Sequence, residues 1–471
     1  MKISLKNVGM LDEAEFEVGD LTIICGENNT GKTYATYSLY GFLQLNSFGG
    51  NSGQNFYDYS LNIIKKNIDN FIISDFDLMI EKKKFINMLN EFNQTIQTKY
   101  QNYLPELFAS KEENFDNSKF NENTFEFLNR FFNKNIDNLE IMNNFFKNFT
   151  ANIKNLDNDS IVFDCSFYKT LIEKNDEKRN VDFRFNFVVQ ILRYLLSKYP
   201  KPFILSTERT GASMFYKELD VNKNEVLEQI NNMSGKNMDI WGLIDKRYSR
   251  YPKPVKDNIY FIRELDEISK KNSFIVNEEN LLHKEIIELL FKIVGGKYIT
   301  SQEGISFAPG AKKRVTKGKF PIQTASSSVR ALMMLNYYIL NYCSKKDILI
   351  IDEPELNLHP NNQILIGRLL VLLVNAGIKV FITTHSDYIV REISNCIMLN
   401  KLSDEQICKI KDYTNDYKLK SDKVKAYLAE NYKGKNKLSV VKISQEQGIF
   451  METFNEAIDK QNENQGLLSR F

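Results

Sequence analysis

The sequence predicts an α/β fold: strand-and-helix parts at the N- and C-terminal ends of the chain, with a large, mainly helical insertion between them. Three observations predict it. GENNTGKT, Gly26 to Thr33, follows the apolar run Leu21–Cys25 and precedes a helix-compatible run from Tyr34 to Leu45. That is the strand–loop–helix setting in which G-x-x-x-x-G-K-[ST] makes physical sense. Far downstream, DILIIDE (Asp347 to Glu353) runs four apolar residues into two acids. Residues 321–400 alternate apolar strands with helices, whereas residues 56–200 repeat apolar side chains at three- and four-residue spacing.

Residues 1–45 form the first part of the head. KISLKNVG and AEFEV alternate as half-buried strands do, and Leu21–Cys25 reads as a buried strand. Gly26 and Gly31 let the backbone through Glu27, Asn28, Asn29 and Thr30 curl into a nest whose N–H groups face phosphate oxygens. Lys32 adds positive charge for the β- and γ-phosphates, and the Thr33 hydroxyl is placed to ligate Mg2+. The start of the following helix adds its positive dipole end.

GGNSGQN (49–55) breaks the chain and opens the insertion, residues 46–200. YSLNIIKKNIDNFI, KKKFINMLNEFNQTIQTKYQNYL and FEFLNRFFNKNIDNLEIMNNFFKNF read as amphipathic helices. DSIVFDCSFY and NVDFRFNFV read as strands, and VVQILRYLLSKY as a helix leading to Pro200. In residues 201–320, PFILSTER is a short buried strand with a charged end. KDNIYFIRELDEISKK and NEENLLHKEIIELLFKIV form a projecting helical pair or a lid, and GGKYITSQEGISFAPG a hairpin. Residues 321–400 complete the head: helix SSVRALMMLNYYILNY, strand DILIID, a helix from about Pro360 to Asn375, strand IKVFITT, the turn HSD, a helix and the strand CIMLN. Residues 401–471 are expected to pack as a small tail subdomain.

Composition narrows the class. The 471 residues suffice for two or three domains, with 42% hydrophobic and 26% charged residues as in ordinary globular proteins. A net charge of +2 argues against wholesale polyanion binding but leaves a local basic patch open. Five scattered cysteines without a C-x-x-C read as free thiols of a reducing compartment. MKISLKNVGM contains no apolar h-region, and no run of about 18 apolar residues occurs, so neither a signal peptide nor a membrane span is expected and the setting is read as cytoplasmic.

The rest of the site follows from position. An acid ending a parallel strand beside a phosphate loop holds Mg2+, which assigns Asp352 to the metal. The next carboxylate, Glu353, points elsewhere and suits the base for an attacking water. His385, just beyond IKVFITT, sits on the ligand-binding edge of the sheet and can contact a γ-phosphate. His359 is balanced between roles, and His283 reads as a helix-surface residue. Ser326, Ser327 and Ser328 open a helix; they cap it and present N–H groups to an anion.

In this order, GENNTGKT, the serine-rich helix start, DILIIDEPELNLHP and TTHSD resemble the ABC-type ATPases, nearest to the AAA15/OLD-like branch, whose ATPase head is related to SMC and RecF proteins. The likeness covers about residues 1–45 and 320–400. It implies an ABC-type head binding ATP and Mg2+, with Ser326 to Ser328 in the place of the signature loop, Leu356 to His359 as the D-loop and His385 as the switch histidine. The family carries glycine where Ser327 and Ser328 stand. It further implies a homodimer or higher homo-oligomer joined through the ATP sites, and a nucleotide-driven sensor of bacterial anti-phage defence. OLD nucleases add a metal-dependent Toprim domain, for which no acidic constellation is seen here, so a separate nuclease or toxin effector is expected. The alternative is a DNA-maintenance ATPase, with KKRVTKGK (312–319) and the stretch Lys418 to Lys437 contacting DNA phosphates.

Overall fold

The computed structural model describes residues 1–46, 62–74, 77–123, 152–156, 159–164, 177–196, 199–218, 251–301, 303–311, 314–315, 318–450 and 453–468. They fall into two compact units. One holds Met1–Ser4, Phe42–Tyr103 and Lys119–Lys201; the other holds Leu5–Gly41, Leu104–Ser118 and Pro202–Phe471.

The second unit is built on a mixed sheet. Its strands are β1 (Lys2–Val8), β2 (Leu11–Glu17), β3 (Leu21–Gly26), β4 (Pro202–Leu205), the hairpin β5 (Gly296–Ser301) and β6 (Gly304–Ala311), then β7 (Ile348–Asp352), β8 (Lys379–Thr384), β9 (Val424–Tyr432) and β10 (Lys435–Val440). Within this unit the main sheet runs β1-β2-β10-β9-β3-β8-β7-β4. From β9 to β4 all neighbours are parallel, and β10 turns back against β9. The carboxyl ends of β9, β3, β8 and β7 therefore share one edge, where open α/β sheets bind ligands. Register aligns Asp352 with Thr383, Thr383 with Ile24, and Thr384 with Cys25.

The central strands form because their apolar runs are covered on both faces. Leu21–Cys25 and Ile348–Asp352 are buried at every position, as parallel strands under helices require. The helices are α1 (Lys32–Asn46), α2 (Arg209–Phe215), α3 (Lys253–Arg263), α4 (Leu281–Val294), α5 (Ser327–Tyr337), α6 (Pro360–Asn375) and α7 (Asp387–Met398). α6 packs on α4 and α7, and α2 on α3 and α5. Asn280 caps α4 by accepting the His283 N–H, and Gly295 closes it at φ 68°.

The structure differs from the sequence reading at five places. The helices expected as a projecting pair are packed instead: Ile259, Ile262, Ile286 and Leu290 lie in the same core as Ile23, Leu349 and Ile382. CIMLN is not a strand; Ile389, Ile393, Cys396 and Ile397 recur at helical spacing and are buried on α7. NVDFRFNFV is part of the helix Glu177–Leu196, whose alternation hides the buried helical set Phe183, Phe187, Val188, Ile191 and Leu192. His283 is buried, with Nδ1 2.9 Å from Glu278 O and its ring against Phe274. Finally, residues 424–440 supply β9 and β10 to the main sheet, because β9 offers the apolar edge that β3 pairs with.

The first unit adds a four-stranded antiparallel sheet to its helices, in the order Phe71–Ser74, Asp77–Glu81, Ser160–Asp164, Asn152–Leu156. Phe163 bridges Phe85 and Phe187 at ring separations of 6.0 and 5.3 Å, tying sheet to helices. The expected break 49–55 and helix 125–149 lie outside the described residues, as do Cys165 and residues 219–250. Among the described residues, Cys25, Cys343, Cys396 and Cys408 are free, and no helix is long and apolar enough to cross a membrane.

Candidate nucleotide site

The loop between β3 and α1 has the backbone its glycines permit. Gly26 stands at φ 141°, Asn29 at 61° and Gly31 at 91°. Gly26 is required twice over. A Cβ there would lie 2.0 Å from Ala429 O on β9, so the strand can approach the loop only where the side chain is absent. The hairpin after β9 also braces the loop: Asn436 Nδ2 donates to Met10 O at 2.8 Å and Asn29 O at 3.3 Å. Thr30 Oγ1 closes the loop on Glu27 O at 2.8 Å. Lys32 is nearly buried, and its ammonium donates to the carbonyls of Gly26 (3.1 Å) and Glu27. Burial pulls its pKa down, while Asp352 and Glu353 pull it up.

Across the sheet edge stands Asp352, 1% exposed. Thr33 Oγ1 donates to its Oδ2 at 3.1 Å, and Thr383 Oγ1 donates to Oδ1. The Thr33 contact joins residues 319 positions apart and makes the loop and the acidic strand one site. Burial raises the Asp352 carboxyl from 3.8 to about 6, against the two threonine hydroxyls, which lower it. Such a carboxylate, with a hydroxyl beside it, offers hard oxygen donors of the kind Mg2+ takes. Among the described residues no cluster of three or more His, Cys, Asp or Glu could hold a metal alone. A Mg2+ held by Thr33 and Asp352 would thus share its coordination with phosphate oxygens and water, the usual habit of that ion.

The raised Asp352 pKa has a measurable consequence. The folded chain holds this proton more tightly than the unfolded chain, so the associated stability is complete below about pH 4 and is lost as pH rises through about 6. A two-unit shift corresponds to about 3 kcal/mol at most. Asp352→Asn cannot ionise; without Mg2+ it is expected to be more stable than the parent by on the order of 1–3 kcal/mol at pH 8, with the difference vanishing near pH 4. Denaturant titrations at the two pH values check this, and an Asp352→Asn chain less stable at pH 8 would contradict it.

Glu353 follows in a left-handed conformation, φ 53°, with its N–H donating to Thr383 O at 3.0 Å. Its Oε1 lies 3.6 Å from His385 Nε2. His385 also engages the Gly26 backbone, so it touches both the loop and Glu353. Burial, then Lys32, lowers its pKa, leaving it a neutral imidazole at pH 7. A neutral ring beside a carboxylate can donate to an anion without adding a full charge.

Two further residues hold this group: Glu355, which the sequence did not single out, and Arg209, whose Glu-Arg segment resembles one of the AAA15/OLD-like branch and leaves open a support of the phosphate site or a subunit contact. Glu355 accepts from Thr384 Oγ1 at 2.8 Å and from the His385 N–H at 2.6 Å, and its carboxyl pKa is raised by burial. A third acid in Asp352-Glu353-Pro354-Glu355, followed downstream by Thr383-Thr384, was the available signal. Arg209, at the charged end of PFILSTER, donates to Asp352 O at 2.8 Å and Glu353 O at 2.6 Å. His359, by contrast, is an N-cap: its Nδ1 accepts the Asn361 N–H at 3.3 Å.

The serines are not brought to the loop within this chain. Ser326 caps α5, accepting the Val329 N–H at 3.4 Å, and its Oγ lies 3.0 Å from Ser328 Oγ. Arg330 donates back to Ala325 O and to Gln323 O. Ser326 and Ser327 are exposed, so the helix start faces outward. Lys312 and Lys313 lie outside the described residues, as does the Arg314 side chain. In the stretch Lys418 to Lys437, Lys418 pairs with Asp404, Lys423 with Asp20, Lys425 with Glu17 and Lys437 with Glu430.

A glycine-bearing loop whose lysine lies across it, joined through Thr33 to an acid that ends β7, two strands away in the same parallel sheet, is the construction of a P-loop nucleotide-binding protein. The chain belongs to the AAA_15 family, described as an AAA ATPase domain, which matches residues 1–390. It is accordingly a nucleotide-binding protein of ATPase type. No curated protein sequence matches it. Among solved structures it is similar to an SMC head bound to the C-winged helix domain of ScpA, at 11% identity and TM-score 0.33, covering 93% of this chain and 97% of that one. It is also similar to an SMC head with an extended coiled coil bound to the C-terminal domain of ScpA derived from Pyrococcus furiosus, at 11% identity and TM-score 0.29, covering 98% of each. A third is the SMC head domain from Thermotoga maritima, at 10% identity and TM-score 0.30, covering 94% of this chain and 98% of that one.

Proposed function

We propose that this chain is an ATP-hydrolysing switch of ABC type that works as a dimer and controls a separate effector in bacterial anti-phage defence. The observation that carries the hydrolytic part is the 3.1 Å contact between Thr33 and Asp352, which unites the two motifs a Mg-ATP site needs. The loop N–H groups of Gly26 to Thr33 and the Lys32 ammonium bind the phosphates. Thr33 and Asp352 would hold Mg2+, which would neutralise charge on the phosphate oxygens. Glu353 accepts the proton of an attacking water, and His385 donates a hydrogen bond to the γ-phosphate. Glu355 holds His385 through its backbone.

The outward-facing serines support the dimer. Ser326 and Ser327 are exposed at the start of α5, and a helix start of this kind suits the ATP of a second copy. Closing the pair would be favoured by ATP only if the closed state binds it better than the open one. The defence setting and the nuclease or toxin effector rest on the resemblance to the AAA15/OLD-like branch.

Sedimentation of a hydrolysis-blocked Glu353→Gln chain tests the dimer. Mg-ATP is expected to shift it from one chain to two. Adding Ser327→Glu, which sets a carboxylate at the helix start, is expected to abolish the shift through like-charge repulsion. A Glu353→Gln chain that binds ATP yet stays at one mass would contradict the dimer, as would a shift that survives Ser327→Glu.

A further inference from the structure

Resting on the proposed role of Glu353 as base, we propose that Arg209 is a positioning residue: it aims the Glu353 carboxylate by fixing the backbone on both sides of that residue. The guanidinium is 3% exposed. Among the described residues it makes three hydrogen bonds, all to main-chain carbonyls: Nη1 to Ser206 O (2.9 Å) and Asp352 O (2.8 Å), and Nη2 to Glu353 O (2.6 Å). Among the described residues no carboxylate forms an ion pair with it. Asp352, Glu355, Glu353 and Glu208 surround it only as a field, and it stays protonated at neutral pH although burial lowers its pKa to about 10.

The geometry gives those bonds a specific result. A peptide group is planar, so the direction of a carbonyl reports the orientation of its whole plane. The Asp352 carbonyl belongs to the plane before the Glu353 Cα, and the Glu353 carbonyl to the plane after it. One rigid guanidinium fork holds both carbonyls, and so sets φ and ψ of Glu353 together. That conformation, φ 53°, is one an ordinary side chain adopts only when its surroundings impose it. The Glu353 N–H to Thr383 O bond anchors the first plane a second time. With φ and ψ fixed, the Cβ direction is fixed, and from it the side chain reaches the position in which its Oε1 lies 3.6 Å from His385 Nε2.

The segment carrying the fork is itself tied down. Arg209 starts α2, and Ser213 on the next turn donates to Arg209 O at 2.7 Å and to Arg330 O at 3.4 Å. The aim of Glu353 therefore depends on a strand end, β4, that contributes nothing to the phosphate loop.

Arg209→Lys keeps the charge but has no planar fork; Arg209→Gln keeps one amide donor group. Both are compared with the parent chain, alone and combined with Glu353→Gln, for ATP affinity by equilibrium binding and for kcat. Arg209→Lys is expected to leave the ATP Kd within about threefold and to lower kcat on the order of 10–100-fold. In the Glu353→Gln background the same change is expected to cost less than about twofold, because nothing remains to be aimed. Losses that multiply in the double variant would overturn the proposal, as would an unchanged kcat or a Kd that weakens as much as kcat falls. Failure of both variants to fold, read by circular dichroism, would make Arg209 a stability residue and overturn it too. Full turnover in Glu353→Gln alone would remove the base assignment and this proposal with it, whereas the other outcomes remove only the proposal.

Discussion

Glu353→Gln is expected to bind ATP like the parent chain and to hydrolyse it at least about 10²-fold more slowly, the usual contribution of a positioned general base. The amide is nearly isosteric with the carboxylate, so the left-handed turn at Glu353 and its N–H bond to Thr383 O have no reason to change. What is lost is the proton acceptor, and no neighbour replaces it. Asp352 is buried beneath two threonine hydroxyls, Glu355 is occupied by Thr384 and the His385 N–H, and His385 is the donor proposed for the γ-phosphate. Single-turnover hydrolysis with saturating Mg-ATP measures the effect free of product release. A rate within a few-fold of the parent would remove Glu353 as base and turn attention to His385 or Glu355.

Much of this site was legible because its chemistry is local in sequence. The phosphate loop needs Gly26, Gly31, Lys32 and Thr33 within eight residues, and a strand before it. Asp352 and His385 could be placed because buried apolar runs end at them. The residues that hold the backbone around Glu353 and His385 were harder to read. Arg209 acts on backbone carbonyls 143 and 144 positions away, and such contacts leave no pattern in spacing. Glu355 was not singled out by spacing, because Thr384 and the His385 N–H reach it only through the pairing of β7 with β8.

The fold shows the same division. β3, β7 and β8 announced themselves as continuous apolar runs. NVDFRFNFV and CIMLN misled because short apolar stretches fit a strand and the end of a helix equally, and flanking helical burial decided them. The second role of Gly26 was invisible for another reason. It depends on β9 pairing beside the loop, a contact between residues 26 and 429 set by tertiary register alone.

Lys32→Ala is expected to weaken ATP binding by about 10²-fold or more. Its ammonium is nearly buried and lies across the loop it serves, on the carbonyls of Gly26 and Glu27. Turned to a phosphate, it makes charge-assisted hydrogen bonds, each worth about 1.5–3 kcal/mol. Two such bonds correspond to about a hundredfold or more in affinity, since every 1.4 kcal/mol is about tenfold. The loop N–H groups remain in the variant, so weak residual binding is expected rather than none. Titration of Mg-ATP into the parent chain and into Lys32→Ala, followed by calorimetry, tests most directly whether Gly26 to Thr33 is the nucleotide site. Saturable binding by the parent, reduced about a hundredfold in the variant, is the predicted result. Equal affinity in the two chains, or no binding by the parent, would contradict it.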